Sequence, residues 1–251
     1  MRRIFIKDLL QENLTIGGSD AHHLGRVMRS RSGDRILVAD DAGKVGEYEL
    51  TGFTESTVEL RLVRYIDERT ESQIEIILAQ CLPKGDKLEL ITQKAAELGV
   101  NCIVPLVSEN CVVRYDGKKA AARQEKWQKI ANEAGKQCGR SRLLQVQAVA
   151  SLRAWLPDMV VQAKASGTAV CMCYENEEQQ GIKHFLQAHR DAGRFVVIIG
   201  PEGGFSLAEA ALARDLGIAS VSLGTRILRA ETAAIAAAAV IQYENGDLGG
   251  R

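Results

Sequence analysis

From residue 74 onwards, short apolar runs alternate with amphipathic segments, and this alternation constrains the fold more than any other feature of the sequence. The apolar runs have the length of buried strands, and they are residues 74–80, 102–107, 169–173, 195–199 and 220–223. The segments between and after them predict helices at residues 86–98, 120–138, 181–189, 206–216 and 231–243. Strands that alternate with helices predict an α/β domain with a mostly parallel sheet covered on both faces.

The first 70 residues show a different pattern, in which short β-branched or alternating runs are separated by glycines. The predicted strands are residues 2–6, 35–39, 47–51 and 57–66, and a short helix is predicted at 20–29 with Ser19 or Asp20 as its N-cap. This pattern predicts a small β-barrel or sandwich. A polar stretch at 68–72 is the predicted linker, so the expected domains are residues 1–70 and 73–245.

The composition is typical of a soluble globular protein, with 251 residues of which 46% are hydrophobic and 25% charged. The sequence contains no apolar run long enough to span a membrane and begins with no signal-peptide pattern, so we expect a cytoplasmic protein. The six cysteines form no CxxC pair, and the four histidines are not spaced with them as a zinc site requires. Reduced thiols and no metal are therefore expected.

The charge is unevenly distributed although the net charge is zero. Residues 1–35 carry seven Lys and Arg against four Asp and Glu, and residues 114–142 carry nine against three. Two basic segments in a neutral protein indicate either a surface for a polyanion such as nucleic acid or solvated helix faces.

Two glycine-containing segments directly follow two of the predicted strands. The sequence GPEGG at 200–204 follows the strand at 195–199, and Gly224 follows the strand at 220–223. Ligands of open α/β sheets bind beyond the carboxyl ends of the strands, so these segments predict a small-molecule site, the alternative being tight turns without a ligand. The sequence contains neither a dinucleotide-binding GxGxxG after a strand nor a P-loop, which argues against two common classes of nucleotide-binding protein.

These two segments also carry a family resemblance. With IGPEGGFS at 199–206 and LGTRILRAETA at 223–233, the chain resembles the ribosomal RNA small-subunit methyltransferase E family of the SPOUT superfamily. Weaker matches are KGDKLELITQKAAELGV at 84–100, QCGR at 137–140 and HHLGRVMR at 22–29. The matches follow the order of the family and cover nearly the whole chain.

The resemblance implies an enzyme that transfers a methyl group from S-adenosylmethionine to N3 of a uridine in 16S ribosomal RNA. It also implies an N-terminal PUA-like β-barrel that binds RNA, a C-terminal SPOUT-type α/β domain with a trefoil knot, and a homodimer. Two alternatives remain: a SPOUT enzyme that methylates a ribose 2′-hydroxyl of tRNA or rRNA, and a non-catalytic RNA-binding module that kept the fold.

The resemblance further implies roles for individual residues. The expected cofactor-binding residues lie in the two glycine-containing segments and are Ile199, Gly200, Glu202, Gly203, Gly204, Leu223, Gly224, Ile227, Leu228 and Ala233. Because N3 of uridine must lose a proton before it attacks, a base or a charge-stabilising cation is needed. The candidates for that role are Arg229, Glu231 and Arg140.

Basic side chains in the supporting motifs are the expected RNA contacts, since such side chains position nucleic acid through its phosphates. They are Arg2, Arg3, His22, His23, Arg26, Arg29, Lys84, Lys87, Lys136 and Arg142. One departure from the family pattern is Lys136, which stands where many members carry an acidic residue.

Overall fold

The computed structural model describes residues 3–27, 30–67 and 70–250. The chain divides into two compact units. The first consists of Met1–Glu71 together with Gly135–Leu143, and the second of Ser72–Ala134 together with Leu144–Arg251.

The first unit is built on a curved half-barrel sheet of five strands. These are β1 (Arg3–Phe5), β2 (Asn13–Gly17), β3 (Arg35–Ala39), β4 (Val45–Phe53) and β5 (Thr57–Ile66), in the spatial order β1-β3-β4-β5-β2. Neighbouring strands are antiparallel except for β1 and β3, and two register shifts between β4 and β5 mark bulges that bend the sheet. The sequence pattern does not predict β2.

A short helix in this unit differs from its prediction. Helix α1 (Gly18–His22) begins before Ser19 and Asp20 and continues as a π-helical turn over His23–Val27. Asp20 therefore lies in the first turn of the helix, so the predicted N-cap is wrong. The predicted end at residue 29 lies outside the described residues.

The second unit contains seven strands in one sheet. They are β6 (Glu75–Cys81), β7 (Cys102–Val107), β8 (Gln145–Val146), β9 (Ala150–Ser151), β10 (Ala169–Cys173), β11 (Arg194–Ile199) and β12 (Ala219–Val221). The order is β12-β10-β11-β6-β7-β8, with β9 also paired to β7, and every one of these pairs is parallel. The prediction of a mostly parallel sheet is confirmed.

Six helices accompany this sheet: α2 (Lys87–Glu97), α3 (Gly117–Cys138), α4 (Leu152–Ser166), α5 (Ile182–Ala188), α6 (Leu207–Asp215) and α7 (Ala230–Asn245). The sequence pattern predicts all of these helices except α4. It also does not predict strands β8 and β9. Helix α4 contains Pro157, a residue that normally interrupts helices, and β8 and β9 are only two residues long. The central strands are apolar throughout because both of their faces are covered; five of the six β11 residues are buried.

The segment 135–143 contributes polar contacts to the first unit that the sequence pattern does not predict. The Arg3 guanidinium donates hydrogen bonds to the carbonyl oxygens of Gly139 and Arg140. The Lys136 ammonium lies 3.0 Å from Asp20 Oδ1, and Arg142 Nη2 donates to the Ala42 carbonyl at 2.9 Å. These basic residues therefore stabilise the unit itself.

Within the described ranges, no helix has both the length and the apolar character that crossing a bilayer requires. All six cysteines are free thiols, and Cys81, Cys111 and Cys171 are buried.

Candidate active site

Three parallel strand ends meet at a cavity in the second unit. In the sheet β10 lies between β11 and β12, and Cys173 of β10 is in register with Ile199 of β11 and Val221 of β12. The segments that follow these strands enclose a cavity of about 460 Å³. This volume lies within the range of roughly 300–1,000 Å³ that is typical of small-molecule sites.

The two glycine-containing segments line this cavity together, although they are separated in sequence by helix α6. The lining includes Ile199, Gly200, Glu202, Gly203, Gly204, Leu223, Gly224, Ile227, Leu228 and Ala233, which are the residues expected from the resemblance to bind a cofactor. Arg229 also lines it. Both sequence motifs therefore belong to one site. The roles of the individual residues stay predictions.

The glycines of the first segment, residues 200–204, lie close against neighbouring side chains. A Cβ on Gly203 would approach the Asn110 side chain at 3.1 Å, and a Cβ on Gly204 would overlap the Glu175 carboxylate. Gly204 also has φ +66°, a left-handed conformation that glycine adopts without steric cost. Asn110 Nδ2 donates to the carbonyl oxygens of Gly203 and Gly204 at 3.0 and 3.3 Å.

A capping box ends this first segment and begins α6. The Ser206 hydroxyl accepts from the Glu209 N–H at 3.2 Å, and Glu209 Oε2 accepts from the Ser206 N–H at 3.0 Å. The Glu209 side chain is almost fully buried, and its other oxygen accepts from the Glu109 N–H at 2.8 Å. The box predicted from Ser206 and Glu209 is confirmed, and the buried carboxylate also anchors the loop after β7.

The second segment runs from Leu223 to Arg229 and leads into α7. Gly224 has φ +121°, which other residues rarely adopt, and its N–H donates to the Ser222 hydroxyl at 3.2 Å. Ile227 is 88% exposed, an unusual position for a large apolar side chain at the edge of a cavity. Arg229 is the N-cap residue of α7, so the helix start fixes its backbone while its side chain is exposed at the cavity.

A lysine lies between the two segments. Lys87 Nζ is 2.8 Å from Glu202 Oε1 and 3.2 Å from Glu231 Oε2. Glu202 also accepts from the Lys84 N–H at 3.1 Å.

Burial by itself would raise the pKa of Glu202, but the hydrogen bonds from Lys87 and from backbone N–H groups outweigh it and leave the pKa below its usual 4.5. The hydrogen bond with Glu202 in turn raises the pKa of Lys87 above its usual 10.5. Glu202 is thus an ionised acceptor and a poor base at neutral pH.

These shifts predict how the ion pair responds to pH. Because the pKa of Glu202 is lowered, the ion pair's contribution to the free energy of unfolding is complete above about pH 4.5. This contribution is lost as the pH falls through the folded-state pKa of Glu202. The raised pKa of Lys87 keeps the contribution complete up to about pH 10.5. We therefore expect Glu202→Gln to lower Tm by roughly 2–4 °C, or about 1 kcal/mol, with a constant difference from pH 5 to 9.

Thermal unfolding of the wild type and Glu202→Gln from pH 3 to 9 measures this difference, which should disappear at the acid end. Glu178→Gln removes the same charge from an exposed position outside the cavity lining and is the control. A Tm difference that changes between pH 6 and 8 would show instead that Glu202 titrates near neutrality.

The other two candidates for the catalytic role lie in different surroundings. Glu231 is in the first turn of α7 and forms the ion pair with Lys87. Arg140 does not line the cavity. It is buried in the first unit, where its Nη2 donates to Glu71 Oε2 at 2.7 Å. The structure thus brings Arg229 to the cavity and gives Arg140 a structural partner.

The expected RNA contacts also separate into two groups. His22, His23, Arg26 and Lys84 are exposed, whereas Arg3 is buried and Lys87, Lys136 and Arg142 each have a polar partner within their own unit. Arg2 and Arg29 lie outside the described residues.

The sequence pattern misses a third lining segment and an anchoring residue. Cys173, Tyr174 and Glu175 line the cavity at the end of β10, and Asn110 holds the first segment from the loop after β7. Because the segment after β10 contains no glycine, the sequence does not mark it. The rule that ligands bind beyond the carboxyl ends of parallel strands would have indicated this segment, had it been applied to the predicted strand at 169–173 as well.

Comparisons with known proteins agree with this architecture. The RNA methyltransferase domain family matches residues 70–242, and the RNA methyltransferase PUA domain family matches residues 16–63. The ribosomal RNA small subunit methyltransferase E of Bacillus subtilis is 33% identical over 253 residues, with 97% of each chain covered.

Two solved structures extend the similarity to the fold. A ribosomal RNA small subunit methyltransferase E from Neisseria gonorrhoeae, bound to S-adenosyl methionine, is 32% identical, with a TM-score of 0.85 and 98% of this chain and 99% of that chain covered. A Legionella pneumophila protein described as a methyltransferase in complex with the bound cofactor is 31% identical, with a TM-score of 0.80 and 98% of each chain covered. From its sequence, its two units and its strand-end cavity, the chain belongs to the ribosomal RNA small subunit methyltransferase E family.

Proposed function

We propose that this protein transfers a methyl group from S-adenosylmethionine to N3 of a specific uridine in 16S ribosomal RNA, as a cytoplasmic homodimer. The observation that carries the proposal is the convergence of both family motifs on one cavity at three parallel strand ends. The relative from Neisseria gonorrhoeae, which shares the fold at 32% identity, is bound to S-adenosyl methionine. The exposed Val240 and Tyr243 side chains on α7 support a contact with a second copy.

The residues of the cavity fit this cofactor. Gly200, Gly203, Gly204 and Gly224 line the cavity without side chains of their own, so a ligand can approach the main chain there. Ile199, Leu223 and Leu228 supply apolar surface suited to an adenine ring. Residues 200–204 and 223–233 would thus hold the cofactor, which supplies a methyl group activated by a positively charged sulfur.

Arg229 has the role closest to the chemistry in this proposal. Uracil N3 carries a proton, and its loss to water leaves negative charge on the base. A guanidinium at the cavity wall favours the deprotonated base and stabilises the charge that remains on it. Glu202 is unsuited to accept the proton, because its pKa is lowered and its carboxylate already forms an ion pair with Lys87. The main contribution of the other lining residues is to position the two reactants.

The first unit is the proposed RNA-binding part. His22, His23 and Arg26 are exposed around α1 and the π-helical turn. Exposed cationic side chains of this kind add affinity for RNA phosphates without reading the sequence. Buried or paired basic residues such as Arg3 and Lys136 hold the unit together instead.

Mass spectrometry of 16S ribosomal RNA tests the proposal. RNA from a strain that lacks the gene should lack one methyluridine, and the purified protein with S-adenosylmethionine should restore it. Fragmentation of the nucleoside assigns the methyl group to the base or to the ribose. The same RNA incubated without S-adenosylmethionine is the control.

Each alternative predicts a different outcome of this experiment. A methyl group on the ribose would identify a 2′-O-methyltransferase. Unchanged RNA, combined with no S-adenosylmethionine binding by calorimetry, would identify a non-catalytic RNA-binding module. Either result contradicts the proposed function.

A further inference from the structure

The feature that the proposed chemistry leaves unexplained is the position of Lys87 between the two cavity segments. It is the first residue of α2, a helix that contributes no residue to the cavity lining. Its ammonium contacts Glu202 of the first segment at 2.8 Å and Glu231, in the first turn of α7 directly after the second segment, at 3.2 Å. One side chain from a third element therefore connects the first segment to the helix that follows the second.

The ammonium of Lys87 lies close to two acidic side chains. Glu202 and Glu231 are partly buried, with side chains 26% and 15% exposed, and both contact the same ammonium. The other acidic residues of this helical turn, Asp86 and Glu89, are paired with Arg123 of α3. Glu89 is also paired with Lys126 of α3. Lys87 is thus the cation that the structure places against both Glu202 of the first segment and Glu231 of α7.

We propose that Lys87 is a positioning residue that joins the two segments into one cofactor site, and that it does not act as a contact to RNA phosphate. The inference rests on the proposed function, because it assigns Lys87 to the cofactor cavity. Both carboxylates contact the same ammonium, so without it two negative charges are left near each other and repel. The segments should then separate, and the cofactor should lose contacts on both sides at once.

Three variants measured by calorimetry with S-adenosylmethionine test this role. Lys87→Met should weaken binding at pH 7.5 by roughly tenfold, the size expected when one member of a charge network is removed. Lys87→Arg keeps a cation between the carboxylates and should bind like the wild type. Lys84→Met is the matched control, because Lys84 is exposed and donates to Glu202 through its backbone N–H, which the substitution keeps.

A comparison at two salt concentrations separates electrostatic positioning from a loss of packing. At about 0.5 M salt, screening weakens the repulsion between the carboxylates in Lys87→Met, so the deficit relative to the wild type should shrink. A deficit that is equal at low and high salt, or one that Lys87→Arg shares, would overturn the proposal.

Hydrogen exchange of the free proteins provides a readout that does not depend on the cofactor. In Lys87→Met, amide exchange should accelerate in residues 200–204 and 223–229 together, while the β6 and β11 amides keep their protection. Exchange unchanged in both segments, with weaker binding to a 16S ribosomal RNA fragment, would assign Lys87 to RNA instead. This measurement remains decisive even if the wild type fails to bind S-adenosylmethionine, which would contradict only the proposed function.

Discussion

Gly204→Ala is expected to weaken S-adenosylmethionine binding by roughly tenfold or more while the protein stays folded. The added methyl group would occupy the space of the Glu175 carboxylate, and φ +66° is unfavourable for alanine. Strain of this kind amounts to roughly 1–3 kcal/mol at one residue, and a shift of the loop that relieves it changes the cavity wall that residues 200–204 form. Titration calorimetry measures the affinity, and circular dichroism checks the fold.

Gly217→Ala is the matched control for this experiment. Gly217 ends α6 with φ +80°, and a Cβ there would meet no atom within 4 Å. It therefore carries the same backbone strain without a clash, at a position outside the cavity lining. We expect it to lower Tm and leave cofactor affinity unchanged. Equal affinities for Gly204→Ala and Gly217→Ala would contradict the assignment of residues 200–204 to the cofactor.

Arg229→Ala is expected to lower kcat by roughly 100-fold or more, with little change in cofactor affinity. This is the order of magnitude lost when one group that stabilises developing charge is removed. The α7 start fixes the Arg229 backbone, so the substitution removes the guanidinium without disturbing the helix cap geometry. Single-turnover methylation of a 16S ribosomal RNA fragment, at saturating S-adenosylmethionine, measures the rate.

Two further measurements separate catalysis from RNA binding at this position. Arg229→Lys retains a positive charge and should recover part of the rate. A higher KM for RNA with an unchanged kcat would show that Arg229 contributes only uniform binding. Arg226→Ala removes the neighbouring arginine of the same segment, and a loss equal to that of Arg229→Ala would contradict a specific role for Arg229.

The sequence predicts the second unit well because its signals are local. The strands at 102–107 and 169–173 coincide with β7 and β10, since buried parallel strands are apolar runs that end at turn residues. The capping box at Ser206 and Glu209 is likewise a matter of residues three positions apart. Helix α4 escapes prediction because Pro157 interrupts its pattern. The knot implied by the family resemblance stays a prediction.

The partners of the charged side chains, by contrast, are not predicted by local sequence patterns. Arg3, Lys136 and Arg140 all appear in basic or family motifs, yet the structure pairs them with groups in the first unit. Lys136 and Asp20 are 116 positions apart in the chain, so no local pattern connects them. The partners of these charged side chains therefore could not be predicted from the sequence, and the RNA contacts stay predictions.

The sequence by itself determined the alternation of strands and helices, the two glycine-containing segments and the start of α6, because each follows from backbone preferences over a few residues. Only the tertiary structure decided that β10 lies between β11 and β12, which joins the two segments and the Cys173–Glu175 segment around one cavity. It alone also decided that Lys87 lies between Glu202 and Glu231. Strand order and ion-pair partners depend on contacts between residues far apart in the chain, and these contacts form only when the whole sheet and its helices pack together.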